Sequence, residues 1–299
     1  MHPNSASGNR LLLLAGLYLL SVLVTMSAVA ADADKVPVPG TATANVRVLP
    51  AMQMERLARE RTVRLYLPPG YEGGDRRYPV LYMHDGQNLF DDATAYAGEW
   101  GVDETLNRLA AERGLDLIVV GIDHGGEHRI HELTPFDHPK YAAAEGEAYL
   151  EFVVHQLKPY IDGHFRTLAG REHTAIMGSS LGGLISHYAM LRYPQVFSRA
   201  AIFSPAYWIA PPIHRMAENR QGEFPARMYL LMGGAEGEEM LEGYRAMKAL
   251  LSRKMPATSW HASLVDGAAH NEGFWRTQFA PAVTWLFDQP ARQDETGAE

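Results

Sequence analysis

The chain has 299 residues, 46% of them hydrophobic and 21% charged, the balance of a globular protein rather than a disordered one. It has no cysteine, which excludes disulfides, thiol nucleophiles and thiolate metal sites. Its formal net charge of −8 argues against a nucleic-acid partner or a polybasic membrane surface.

The N-terminus departs from that balance. Arg10 is followed by an apolar run from Leu11 to about Met26, then by Ala28-Val29-Ala30, the A-x-A pattern that signal peptidase cuts. The run is short for spanning a bilayer, which takes roughly 20 residues. A secretory signal peptide is expected over residues 1–30, with periplasmic or secreted localisation and no stable membrane anchor after cleavage. Residues 31–44 are small, polar and proline-containing and read as a flexible lead-in, as does the tail over residues 290–299. One domain is expected between them, over residues 45–289.

Within that domain "RTVRLYL" alternates polar and apolar residues, as a half-buried strand does, and "PPGY" supplies a turn. "YPVLYMH", "LDLIVVGI", "HTAIMG", "RAAIFS" and "RMYLLMG" are near-continuous apolar runs, suited to central strands covered on both faces. Helical patterns lie between them. "GEAYLEFVVHQLKPYI" is predicted to stop near Pro159, and "LGGLISHYAMLRYP" is closed by Pro194. "EEMLEGYRAMKALLSRK" places Met240, Tyr244, Met247 and Leu251 on one face. "NEGFWRTQFAPAVTWLFD" is also amphipathic. Alternating strands and helices predict an α/β fold, with a mainly parallel central sheet and helices on both faces. The proline-rich segment between Ser204 and Arg227 reads as a loop or short cap.

The stretch "AIMGSSLGGL" carries two adjacent serines among three glycines. Glycine, any residue, serine, any residue, glycine between a strand and a helix is the pattern of a nucleophile elbow. Only one register fits: Ser180 has Gly178 before it and Gly182 after it, whereas Ser179 has Met177 and Leu181 at those places. A serine hydroxyl needs a base, usually histidine, and an acid to orient that base. Of the four later histidines, His187 falls in the helix after the elbow and His214 in the cap. His261 falls inside the strand "WHASLV", and His270 follows a strand end plus small residues, where a catalytic loop histidine belongs. The acid is expected from "GGAEGEE", the loop after "RMYLLM". Glu236 is favoured there over Glu238, Glu239 and the rival Asp266. Two backbone N–H groups should hold the oxyanion. One is that of Leu181; the other is expected from "HDGQNLFDD", where Gln87 follows Gly86.

Together with "RLYLPPGY", "YPVLYMHDGQNLFDD", "GEWGVDETL", "LIVVGIDHGGEHRIHELTPF", "YLEFVVHQLKPYIDGHFRT", "AIMGSSLGGLISHYAMLRYPQVFSRAAIFSPAYW" and "GAAHNEGFW", these residues resemble the esterase family of enterochelin esterases, esterase D, feruloyl esterases and mycolyltransferases. The resemblance implies the α/β-hydrolase fold, Ser180 as nucleophile and His270 as base. The mycolyltransferases take their acid from a glutamate after the corresponding strand, which implies Glu236. They take an oxyanion N–H from the residue after the Asp-Gly pair, which implies Gln87. The expected activity is hydrolysis of a small-molecule carboxylic ester through an acyl-enzyme. An acyltransferase with the same triad is the near alternative, and a catalytically silent carbohydrate-binding module the distant one.

No cofactor and no metal are expected. His124, His128, His131 and His138 lie close in sequence, but no H-x3-H pair among them falls on a predicted helix. Asp85, Gly86, Arg129 and Trp208 are candidates for contacting substrate, with an ion pair between Arg129 and Glu132 as the structural reading of that segment.

Overall fold

The structure, a computed structural model, describes residues 39–141, 143–221 and 227–287. The expected signal peptide, most of the lead-in and the tail lie outside these residues. Among the described residues no helix is long and apolar enough to cross a membrane. The end of the lead-in is held by side chains: Thr41 donates its backbone N–H to Asp91 Oδ1 and Thr43 to Asp103 Oδ2.

Eight strands form one sheet: β1 (Val46–Val48), β4 (Val63–Tyr66), β5 (Val80–His84), β6 (Ile118–Ile122), β7 (Thr174–Ser179), β8 (Arg199–Phe203), β9 (Arg227–Gly233) and β10 (Trp260–Val265). Their order across the sheet is β1-β4-β6-β5-β7-β8-β9-β10. The six strands from β6 to β10 run parallel, and β4 and β1 close one edge antiparallel. β2 (Met52–Met54) and β3 (Arg59–Arg61) form a separate hairpin. Side chains alternate between faces along a strand. Val80 and Tyr82 therefore join one apolar core with Ile176, Ile202 and Leu230, while Leu81 and Met83 join another with Met177, Phe203 and Leu231. Burial on both faces explains why these strands read as continuous apolar runs.

Helices cover both cores. On the first lie α5 (Leu181–Arg192) and α7 (Glu238–Lys254), the latter burying Leu241, Tyr244, Met247, Leu250 and Leu251. On the second lie α1 (Val102–Arg113), through Val102, Leu106 and Leu109, and α8 (Glu272–Phe287), through Trp275, Phe279, Val283 and Leu286. The short helices α2 (Arg129–Glu132) and α6 (Pro212–Asn219) belong to connecting segments.

The predicted stop at Pro159 does not occur. α3 (Gly146–Phe152) continues through a π turn, Val153–Leu157, into α4 (Lys158–His164). A proline inside a helix removes one N–H and presses on the carbonyl four residues back. That carbonyl, of His155, lies in the wider π turn, where Lys158 donates its N–H to Val153 O, five residues earlier. The chain so passes the proline without ending the helix.

The strand order sets the place of the site. From β5 the chain crosses to β6 on one side and later to β7 on the other. Crossovers that part in this way open a crevice at the carboxyl ends of the strands. This mainly parallel sheet, covered on both faces, is the α/β-hydrolase arrangement.

Candidate active site

Among the described residues, four non-glycine residues have positive φ. Three of them, Asp85, Ser180 and Ser204, each directly follow a parallel strand, β5, β7 and β8. Such backbone costs about 1–3 kcal/mol per residue and persists only where neighbours enforce it. All three lie at the carboxyl ends of the parallel strands.

Ser180 has φ 58° and ψ −119°, the sharp turn from β7 into α5. Three backbone bonds fix it. Its N–H donates to Phe203 O at 2.9 Å, and its carbonyl accepts from Leu184 N and Ala206 N at 3.0 and 3.1 Å. The glycine register has a steric cause. A Cβ on Gly178 would lie 2.7 Å from the Gly182 carbonyl carbon, and one on Gly183 would lie 2.6 Å from Phe203 O. The first pair lets the chain double back, and Gly183 lets α5 settle on β8. Ser179 ends β7 and is buried; Ser180 is only partly so.

His270 lies between β10 and α8, and Glu236 between β9 and α7. His270 Nδ1 meets Glu236 Oε2 at 2.8 Å. The carboxylate is wholly buried, whereas 35% of the imidazole side chain stays open to solvent. The other oxygen, Oε1, accepts from Ser204 Oγ at 2.5 Å and from Gly233 N at 2.8 Å. Ser204 Oγ in turn accepts from Trp275 Nε1 at 2.9 Å, and the Trp275 ring meets His270 edge to face with centroids 4.8 Å apart. Asp266, the rival acid, is exposed one residue beyond β10.

Asp85 begins the loop after β5. Arg129, in α2, grips it with both arms, Nε to Oδ1 at 2.6 Å and Nη2 to Oδ2 at 2.8 Å. Burial pushes the Asp85 carboxyl up, but the Arg129 charge and hydrogen bonds outweigh it and hold the group below its ordinary value. Arg129 thus pairs with Asp85 and not with Glu132. Glu132 accepts from the buried Arg61 at 2.7 Å and from Arg59 at 3.0 Å. His84, just before Asp85, is lowered to about 4 by burial and by Arg129, and its Nδ1 meets Tyr149 Oη at 2.7 Å.

These groups meet in a cavity of about 490 Å³ lined by Asp85, Asn88, Arg129, Ser180, His270 and Trp275, with Tyr96, His124 and Glu272 at its sides. Gln87 stands in a 3₁₀ turn, Gly86–Asn88, beside this cavity, and its Oε1 accepts from His124 N at 3.1 Å. Leu181 opens α5, where the first N–H groups of a helix have no partner inside it. Gly86 has a packing reason: a Cβ there would fall 2.7 Å from the Gly121 carbonyl carbon of β6. Trp208 does not line this cavity. It borders a second one, with Tyr207, Pro211 and His214, and its ring meets Tyr141 edge to face.

Further histidines have partners other than Glu236 or lie outside this cavity. His187 is buried, lowered to about 3 by that burial, and its Nδ1 meets Tyr207 Oη at 2.7 Å. His214 Nε2 bonds Gly243 O, and His261 lies exposed against Tyr229 and Trp285. His131 Nδ1 bonds Ala143 O, while His124 and His138 each accept from a backbone N–H two residues on. Ser204 and Trp275 were not legible as site residues. Ser204 is marked only by its place after β8, in register with the end of β7, and Trp275 by its place one turn beyond His270.

A family model described as "Putative esterase" matches residues 54–286. The chain is 26% identical over 247 residues to the uncharacterized protein YbbA of Bacillus subtilis (strain 168), covering 78% of this chain and 95% of that one. It is 24% identical over 238 residues to an endo-1,4-beta-xylanase/feruloyl esterase of Xylanibacter ruminicola, covering 78% of this chain and 30% of that longer protein. The solved enterochelin esterase of Shigella flexneri has a TM-score of 0.67 at 22% identity, over 83% of this chain and 60% of that one, a likeness of fold. The chain belongs to the "Putative esterase" family and is a carboxylic ester hydrolase.

Proposed function

We propose that the chain is an exported serine esterase that works through an acyl-enzyme. One observation carries the reading: a buried Glu236 meets His270 at 2.8 Å, and His270 lines the same cavity as a serine held at positive φ. Glu236 fixes the tautomer in which His270 Nδ1 carries the hydrogen and Nε2 is free to act as base. Nε2 takes the Ser180 proton as Oγ attacks the ester carbonyl. The N–H groups of Gln87 and Leu181 hold the oxyanion. Collapse of the tetrahedral intermediate expels the alcohol, which takes the proton from His270. Water, activated by the same imidazole, then releases the acid and restores the serine.

In this reading the pairing of the buried Asp85 with Arg129 fixes the start of the loop that carries Gln87. Residues 1–30 act as the export signal, and N-terminal sequencing of the mature protein should begin at Ala31. A panel of aryl, acetyl, feruloyl and siderophore esters tests the activity, the last two suggested by the names of relatives. Turnover of at least one member, lost in Ser180→Ala, is expected. Turnover that survives in Ser180→Ala would overturn the serine mechanism.

A further inference from the structure

Glu99 lies just before α1, and Asp103 and Glu104 lie in its first turn. One carboxylate oxygen from each stands within 4.8 Å of the others. Acidic residues in a first helical turn are ordinary, because the helix N-terminus attracts negative charge. That does not account for this group. Glu99 and Asp103 are 4% and 0% exposed, and Glu99 Oε2 and Asp103 Oδ1 have no hydrogen-bond partner. Thr43 Oγ1 is likewise buried and unpartnered, and the Thr43 N–H donates to Asp103 Oδ2 at 2.8 Å. Arg276 approaches, but its bond goes to the Glu99 carbonyl, at 3.4 Å. Asp92 adds further negative charge, its Oδ1 accepting the Glu99 N–H at 2.9 Å. Buried carboxylate oxygens left without a partner are costly, and crowding like charges adds to the cost.

We propose that Glu99, Asp103 and Glu104, with the Thr43 hydroxyl beside them, form a Ca2+ site that fastens the end of the lead-in to the start of α1. Ca2+ takes oxygen ligands at 2.3–2.6 Å, so two oxygens on one ion stand at most about 5 Å apart. The 4.8 Å span of the three carboxylates is within that limit. Carboxylate and hydroxyl oxygens, with no imidazole or thiolate, select a hard cation over zinc or copper. Ca2+ also accepts irregular geometry and completes its shell with water, which the exposed Glu104 side admits. The site also reaches the catalytic wall. Trp100, next to Glu99, stacks on Phe203 and stands 6.0 Å from Trp275, the ring that donates to Ser204. This site is independent of the esterase mechanism, and its test needs no substrate.

The purified chain, stripped with EGTA and freed of chelator, is melted with and without Ca2+. In parallel it is titrated with Tb3+, whose luminescence Trp100 would sensitise. At free Ca2+ about a hundredfold above its dissociation constant, the midpoint should rise by about 5 °C. Tb3+ should saturate at one ion per chain and be displaced by Ca2+. Glu104→Gln, at an exposed position that tolerates change, should weaken both responses at least about tenfold. Asp103→Asn and Glu99→Gln should abolish them. A wild type that shows neither response at millimolar ion would overturn the proposal. So would Glu104→Gln and Glu99→Gln chains that bind like the wild type. A Glu99→Gln chain more stable than the wild type in chelator, with no Ca2+ response in either, would show a shared proton in the ion's place and overturn it as well.

Discussion

Glu236 meets His270 through Oε2 and keeps Oε1 for Ser204 and the Gly233 N–H, so the carboxylate that meets the imidazole also accepts from two further donors. Loss of the negative charge with the shape kept should therefore be felt in turnover. Glu236→Gln is expected to lower kcat by about 10²–10⁴-fold, the range that follows when the histidine takes the wrong tautomer. Asp266→Asn, at an exposed position outside this network, should stay near wild type. Initial rates on a p-nitrophenyl ester, with circular dichroism to confirm folding, decide between the two carboxylates.

Ser204 stands between Glu236 and Trp275 and is fully buried. Ser204→Ala leaves one buried acceptor and one buried donor short of a partner, at a cost of about 1–3 kcal/mol for each unsatisfied group. The melting midpoint should fall by several degrees, and kcat should fall with it because Glu236 loses one of its donors. An unchanged midpoint together with unchanged kcat would show that Ser204 does not hold the acid.

The Asp85–Arg129 pair predicts a pH signature. The Asp85 carboxyl is held below its ordinary value when folded, so its stabilisation is present above the unfolded carboxylate range and is lost as the pH falls through the lower folded value. Arg129→Met strands a buried carboxylate, costing about 3–5 kcal/mol at neutral pH. Without Arg129, burial alone raises the Asp85 carboxyl, and protonation relieves the penalty. The gap in midpoint between wild type and Arg129→Met should narrow as the pH drops from 7 towards 4. A gap independent of pH would remove Asp85 from the account.

His124, His131 and His138 have local backbone partners, His128 lies 4.0 Å from Glu127, and His270 meets Glu236. His128→Ala and His131→Ala are expected to leave kcat within a few-fold of wild type, whereas His270→Ala should remove nearly all turnover. Equal losses in the three variants would point to a different site.

Much of this was legible in the chain. The central strands announce themselves because burial on both faces favours near-continuous apolar runs, and the elbow because Gly178 cannot carry a side chain where the backbone doubles back on Gly182. Glu236 and His270 could be placed because each follows a strand whose carboxyl end faces the same crevice. Other features were not legible, each for a physical reason. Pro159 signals a stop, yet the π turn at Val153–Leu157 absorbs it. α1 is flanked by Gly101 and Gly114 but is short and strongly charged, so its apolar face of Val102, Leu106 and Leu109 is easily passed over. The partner of Arg129 depended on which loop lay above it, and Asp85 is 44 positions away. Trp208 reads as a candidate for contacting substrate, but the short turn Tyr207–Ile209 carries it to the neighbouring cavity, packed against the core.

The central claim is that Ser180, and not Ser179, is the nucleophile. The most direct measurement is labelling of the purified protein with a fluorophosphonate, followed by peptide mass spectrometry. One adduct is predicted, on Ser180, in wild type and in Ser179→Ala, and none in Ser180→Ala. An adduct that persists in Ser180→Ala, or one found on any other residue of the wild type, would contradict the account.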